Sequence, residues 1–128
     1  MKKERKVMEF FGEPINYGGQ EAFIFNMYSH FSKKLDITFV TPFEATNSKL
    51  ISLINKKNDT IIFDNKTFET NLRKKNILET AKKYINDSYD VIHIHSGSLF
   101  TLYTVSKIAK KKGVRMVIVH AHSTGGKN

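Results

Sequence analysis

Cysteine and tryptophan are absent from this sequence, and only two of its 128 residues are proline. Without cysteine, the chain cannot form a disulfide scaffold, a zinc ribbon or a thiol nucleophile. It also lacks any apolar run near the roughly 20 residues that a membrane span requires. The basic start, Met1 to Lys6, is followed by a short apolar run that Glu9 interrupts. We therefore expect no export signal and a cytoplasmic protein.

Acidic residues are scarce, with 12 Asp and Glu against 21 Lys and Arg, giving a formal net charge of +9. This excess predicts an anionic partner, which could be nucleic acid, acidic lipid or the phosphates of a small molecule. The last 22 residues carry six basic side chains and no acid: Lys107, Lys110, Lys111, Lys112, Arg115 and Lys127. Tyr103 is the one aromatic residue near them, so base stacking and hence nucleic-acid binding are disfavoured. These basic residues could instead form a solvated face or make peripheral contact with an anionic membrane.

Short apolar runs alternate along the chain with longer amphipathic stretches. The runs predict strands over 6–11, 36–40, 60–63, 91–95 and 114–120, and the periodicity predicts helices over 20–34, 50–54, 67–85 and 98–111. Near-continuous apolar strands are typical of a parallel sheet covered on both faces. We therefore predict one α/β domain over residues 1–128, a three-layer sandwich with about five parallel strands in the order 3-2-1-4-5.

Most of the residues suited to binding or catalysis lie at the carboxyl ends of the first, fourth and fifth predicted strands. In such sheets ligands bind outside the carboxyl ends, where the strand order reverses. The pair Gly18-Gly19 opens a helix there, and the free N–H groups and positive dipole of a helix start suit a phosphate. Both G-x-G-x-x-G and the phosphate-loop pattern are absent, so a glycine turn that merely begins the helix is an equal alternative. Glu21, in the first turn of this helix, could likewise contact a ligand or only interact favourably with the positive end of the helix dipole.

Four histidines stand in two His-x-His pairs: His93, His95, His120 and His122. Imidazole is a common metal ligand, but the nearest carboxylates in sequence, Asp87 and Asp90, precede the strand, so we predict no metal site. We expect His93 to be the deeper of its pair and a hydrogen-bonded core residue. The other three are predicted as site residues that bind a hydroxylated ligand or act as acid or base.

Taken in order, the motifs resemble the amino-terminal domain of retaining GT-B glycosyltransferases of family four. The series is Gly18-Gly19-Gln20-Glu21, an aromatic helix and strand over 23–39, Tyr-Asp-Val-Ile-His-Ile-His-Ser over 89–96, and a strand ending His-Ala-His-Ser at 120–123. The likeness is greatest to bacterial members that build capsular polysaccharide and exopolysaccharide. It covers nearly the whole chain, more loosely over 41–83.

The resemblance implies two Rossmann-like domains facing each other across a cleft, of which this one takes the acceptor. By position, Gly18 and Gly19 would approach the diphosphate of the donor, and His120 or His122 (we favour His120) would be the catalytic histidine beside the transferred sugar. The remaining implied positions line the cleft: Tyr17, Gln20, Glu21, His95, Ser96 and Ser123. The implied co-substrate is a nucleotide sugar, UDP-linked, and the family needs no metal or other cofactor.

The chain departs from the family in its length. It stops soon after the fifth predicted strand, so the domain with the Glu-x7-Glu motif that holds the nucleotide sugar is not in these 128 residues. We expect a fragment or a truncated product, inactive alone, unless another chain supplies the second domain. The alternative from a different class is a non-enzymatic α/β module that binds a nucleotide or another anion. A receiver domain is disfavoured, because the first strand ends in Phe-Phe-Gly without clustered acids.

Overall fold

The computed structural model describes residues 5–16, 19–30 and 35–121, and strands alternate with helices throughout this part of the chain. The strands are β1 (Arg5–Phe11), β2 (Leu35–Thr41), β3 (Thr60–Phe63), β4 (Val91–Ser96) and β5 (Met116–Ala121). The helices are α1 (Gly19–His30), α2 (Ser48–Lys56), α3 (Thr70–Tyr84) and α4 (Leu99–Lys111). All nine predicted elements are present, with bounds that differ by a few residues. Residues 31–34, at the end of the first predicted helix, lie outside the described residues.

The five strands form one parallel sheet in the order β3-β2-β1-β4-β5. The predicted fold class is therefore confirmed: the domain is α/β, with a Rossmann-like three-layer arrangement. β1 lies at the centre, with β2 and β3 on one side and β4 and β5 on the other. The chain moves outward from β1 in both directions, so the strand order reverses between β1 and β4.

Two apolar cores, one on each face of the sheet, hold the layers together. On β1, Met8 and Phe10 pack into a core shared with α3 and α4, while Val7 and Phe11 pack into a core shared with α1 and α2. This division follows from the alternation of side chains along a strand. Glu9 lies between Val7 and Phe11 in sequence and faces the same side as they do. A carboxylate therefore sits among apolar side chains at the centre of the sheet.

The buried face of α4 is narrower than the sequence predicts. Leu102, Val105 and Ala109 are buried at helical spacing. From the apolar periodicity that predicts this helix, Leu99 and Tyr103 would also be expected to point inward; that expectation is wrong, because they are 79% and 65% exposed. Leu99 is the first residue of the helix, ahead of its buried turn, and Tyr103 is rotated by about 100° from Leu102. None of the helices in the described ranges is long and apolar enough to cross a membrane.

Gly12, directly after β1, approaches the start of α4 more closely than any larger residue could. A Cβ at this position would lie 2.7 Å from Thr101 Cγ2 and 2.9 Å from Ser96 Oγ. The Gly12 amide also donates a hydrogen bond to the carbonyl oxygen of His95, at 2.9 Å. The loop after β1 is thus pressed against the end of β4 and the first turn of α4.

We predict that Gly12→Ala lowers the free energy of unfolding by about 1–3 kcal/mol, because the added methyl group overpacks this contact. Urea denaturation of the variant and the wild type measures the difference. Ser52→Ala, at an exposed position on α2, is the matched control and should change stability by less than about 0.5 kcal/mol. If the Gly12→Ala protein were as stable as the control, the neighbouring side chains would accommodate the added methyl group without loss of stability, and the prediction would be wrong.

Candidate functional site

The carboxyl edge of the sheet is held together by Glu13, in the loop after β1. Its Oε2 accepts hydrogen bonds from Ser96 Oγ at 2.7 Å and from the Gly97 amide at 3.1 Å. Its backbone carbonyl accepts a hydrogen bond from Thr41 Oγ1 at 2.9 Å. One residue therefore joins the loops that follow β1 and β4 to the end of β2. These hydrogen bonds connect β1, β2 and β4 at the edge where the strand order reverses.

Helix α1 begins at this edge, and Glu21 in its first turn has a structural partner. Glu21 Oε2 accepts a hydrogen bond from Asn47 Nδ2 at 2.7 Å. Asn47 in turn caps α2, because its Oδ1 accepts a hydrogen bond from the Leu50 amide at 3.1 Å. Glu21 thus connects the starts of α1 and α2. Gln20, beside it, is partly buried.

Three histidines from the two neighbouring strands β4 and β5 meet on one face of the sheet. His93 and His95 are two residues apart on β4, and His120 is the register partner of His95 on β5. The ring centroids of His93 and His95 are 4.0 Å apart, and those of His95 and His120 are 5.4 Å apart. One ring nitrogen from each of the three lies within 4.8 Å of the others. Strand pairing alone therefore assembles an imidazole cluster.

The carboxylate of Glu9 completes this cluster from β1. Its Oε1 lies 2.6 Å from His95 Nε2 and 3.2 Å from His93 Nδ1. Burial acts to raise the pKa of Glu9, but the hydrogen bonds and the electrostatic attraction of His93 and His95 outweigh it and hold the pKa below that of an ordinary glutamate. Glu9 is therefore ionised at neutral pH, although it is almost fully buried.

Aromatic rings shield the inner side of the cluster from water. The Phe11 ring stacks on His95 with a centroid separation of 4.5 Å and an angle of 9°. Phe23, from α1, lies 4.5 Å from His95 and 6.0 Å from His120, measured between ring centroids. His95 is therefore fully buried, whereas His120 is exposed. One side of the cluster is apolar and the other opens to solvent.

The relative burial of the two β4 histidines is opposite to the prediction. His93, expected to be the deeper residue, has a side chain 20% exposed, and His95 has none of its surface exposed. The physical reason is that Phe11 and Phe23 cover His95. The expectation that His93 is hydrogen-bonded is confirmed by its contact with Glu9.

The predicted site residues within the described ranges lie at one edge of the sheet. Gly19, Gln20 and Glu21 open α1, while His95 and Ser96 end β4. The side chains of His95 and Ser96 are buried against Glu9 and Glu13, and that of His120 is exposed. Four further predicted positions lie outside the described residues: Tyr17, Gly18, His122 and Ser123.

Glu9 and Glu13 are the site residues that sequence reasoning missed. The carboxylates considered for the histidines were those nearest in sequence, whereas Glu9 and His95 are separated by 86 residues. A signal was nevertheless present, because a glutamate in the middle of an apolar strand needs a buried polar partner. The predicted order 3-2-1-4-5 places the His-x-His strand next to it.

The geometry thus defines a Rossmann-like α/β domain with a glutamate–histidine cluster at the edge where the strand order reverses. Comparison of the chain with protein-family models, with curated proteins and with solved structures finds no match.

We predict that Glu9→Gln lowers the free energy of unfolding at pH 7 by about 1–3 kcal/mol, because the buried imidazole of His95 and the partly buried imidazole of His93 lose an ionised acceptor. Since the pKa of Glu9 is lower in the folded protein, this stabilisation is present above the ordinary glutamate pKa of about 4.3 and is lost as the pH falls through the folded value. Urea denaturation at several pH values measures both effects. Glu44→Gln, at an exposed position, is the control. If the difference in the free energy of unfolding between Glu9→Gln and wild type stayed constant below pH 4, ionised Glu9 would not be the source of the stabilisation.

Proposed function

We propose that this chain is the acceptor-side domain of a retaining GT-B glycosyltransferase. The complete enzyme would transfer a sugar from a UDP-linked nucleotide sugar to a polysaccharide or lipid-linked acceptor. The proposal rests on the motif series together with the place of its members in the fold. Residues 1–128 would be inactive alone, because most donor contacts would be made by a second domain or subunit.

The observation that carries the proposal is the contact between the first turns of α1 and the end of β5. Phe23, one turn into α1, packs against both His95 and His120. Phe23 therefore links the first turns of α1, which begins at Gly19, to the exposed imidazole of His120 at the same edge of the sheet. The resemblance assigns the first to the donor diphosphate and the second to the transferred sugar, two groups that are directly bonded in a nucleotide sugar.

The chemistry of these two features suits the departure of a diphosphate. The first N–H groups of a helix have no partner within the helix, and its dipole places partial positive charge at that end. Negative charge grows on the diphosphate as the glycosidic bond breaks, so fixed donors aimed at it lower the barrier. His120 is exposed, so its imidazole is able to hydrogen-bond a sugar hydroxyl or a phosphate oxygen.

A stripe on α4 supports contact of the acceptor side with a membrane surface. Leu99, Tyr103, Lys107 and Lys110 follow one another at helical spacing and line an open groove with Val119 of β5. Lys107 Nζ lies 5.4 Å from the centre of the Tyr103 ring. Apolar and aromatic side chains next to lysines are typical of surfaces that rest on anionic lipid. Such a position, at the inner face of the cell membrane, would bring a lipid-linked acceptor to the edge of the sheet.

We expect UDP and UDP-glucose to bind weakly to the isolated chain, in the millimolar range, because only part of the donor site is present. In buffer with a chelator, amide chemical-shift changes should be centred on Gly19, Gln20 and His120. His120→Gln should weaken binding severalfold. His30→Gln, the same substitution at the exposed far end of α1, should not.

Shift changes confined to other parts of the sheet would contradict the proposal, as would sugar transfer by the isolated chain. If inorganic diphosphate bound as well as UDP, the alternative of a non-enzymatic anion-binding module would be favoured instead.

We expect the chain to sediment with vesicles that contain phosphatidylglycerol and not with neutral phosphatidylcholine vesicles. Lys107→Gln should weaken this binding by about fivefold, since one basic residue near an anionic surface contributes about 1 kcal/mol. Lys56→Gln, at the exposed end of α2, is the matched control. Equal loss of binding in both variants would assign the attraction to net charge and contradict a role for the α4 stripe.

A further inference from the structure

We propose that His93, His95 and His120 form a binding site for a divalent transition-metal ion, with Zn²⁺ as the reference ion. The proposal does not depend on the glycosyltransferase assignment. The family that the sequence resembles needs no metal, so the site would be a property of this chain beyond that resemblance. It also revises our expectation from the sequence that no metal is bound.

The first support is the convergence of three imidazoles on rigid elements. His93 and His95 share one face of β4, and the β4–β5 register places His120 beside His95. One ring nitrogen from each lies within 4.8 Å of the others. In a tetrahedral site with metal–nitrogen bonds of about 2.0–2.1 Å, the ligand nitrogens lie closer to one another than this. The three imidazoles would therefore need to rotate slightly towards one another to bind an ion. His120 lies on the outermost strand and is the most exposed of the three histidines.

The second support is the carboxylate behind the histidines. Glu9 Oε1 contacts His95 at 2.6 Å and His93 at 3.2 Å. Histidines that bind a metal are commonly oriented by a carboxylate that also makes them more basic. The negative charge of Glu9 would in addition offset part of the charge of a divalent ion near the core. Phe11 and Phe23 supply the apolar wall that limits water on the inner side.

The donor set selects the class of ion. Imidazole suits Zn²⁺, Co²⁺, Ni²⁺ and Cu²⁺, whereas Mg²⁺ and Ca²⁺ prefer oxygen ligands. Three protein ligands and one side open to solvent correspond to a zinc site with an exchangeable fourth position. That position would face solvent beside His120, where a phosphate or hydroxyl oxygen could occupy it.

The test is metal binding by the tag-free, metal-stripped chain. We expect one equivalent of Zn²⁺ to bind, measured by competition with a chromophoric chelator, and Co²⁺ to give the intense visible absorption of tetrahedral coordination. His120→Gln should weaken Zn²⁺ binding by at least about tenfold, and His93→Gln should do the same. His30→Gln should leave it unchanged, because His30 lies exposed at the end of α1.

His120 is exposed on the edge strand, so its substitution is expected to leave the fold intact, which circular dichroism verifies. Mg²⁺ at the same concentration should not compete. The proposal is overturned if the wild type binds no Zn²⁺ at about 100 μM. It is equally overturned if the affinity survives His120→Gln, or if His122→Gln abolishes binding while His93→Gln does not.

Discussion

A single buried carboxylate governs the arrangement of the functional edge of this domain. Glu9 lies in the central strand, where an ionised group without partners would cost several kcal/mol. Its partners are the two imidazoles of β4, and they can reach it only when β4 lies beside β1. The glutamate–histidine cluster therefore depends on the sheet order. Phe11, the next residue of β1 on the same face, stacks on the ring of His95 that contacts Glu9.

Glu9 on β1 and Glu13 in the loop after it have different structural roles at this edge. Glu9 organises the interior of the cluster, whereas Glu13 fastens the loops above it through Ser96 and the Gly97 amide. Both are acidic residues in a chain of net charge +9, and both hold other groups in place. The side chain left exposed in the described cluster is His120. Within the described part of this edge, a ligand would therefore meet the imidazole of His120 before those of His93 and His95.

The fold was predictable from the sequence because its determinants are local. An apolar run such as Thr60–Phe63 or the periodic stripe of α4 can be identified within a few residues, and their alternation leaves few sheet topologies open. The exposure of residues at the border of an apolar helix stripe was harder to predict. Leu99 and Tyr103 fit a helical stripe in one dimension, but whether they are covered depends on where the neighbouring layers end.

The site was predictable only in part, for a related reason. Strand order and spacing were enough to bring His95 and His120 to one edge. The partner of the histidines was not found, because Glu9 is distant in sequence and adjacent only across the β1–β4 pairing. The relative burial of His93 and His95 likewise depends on two phenylalanines from other elements, Phe11 and Phe23, and no pattern within β4 indicates it.

The central position of β1 also has a consequence for the time course of folding. β1 is synthesised first, yet its β4 neighbour follows some 80 residues later, which at 5–20 residues per second is a delay of roughly 4 to 16 s. Throughout that interval Glu9 has neither imidazole partner, and one edge of the central strand has no neighbour. Because a long-range pairing needs both of its strands, the β1–β4 pairing in the middle of the sheet can form only after β2 and β3 have already been synthesised.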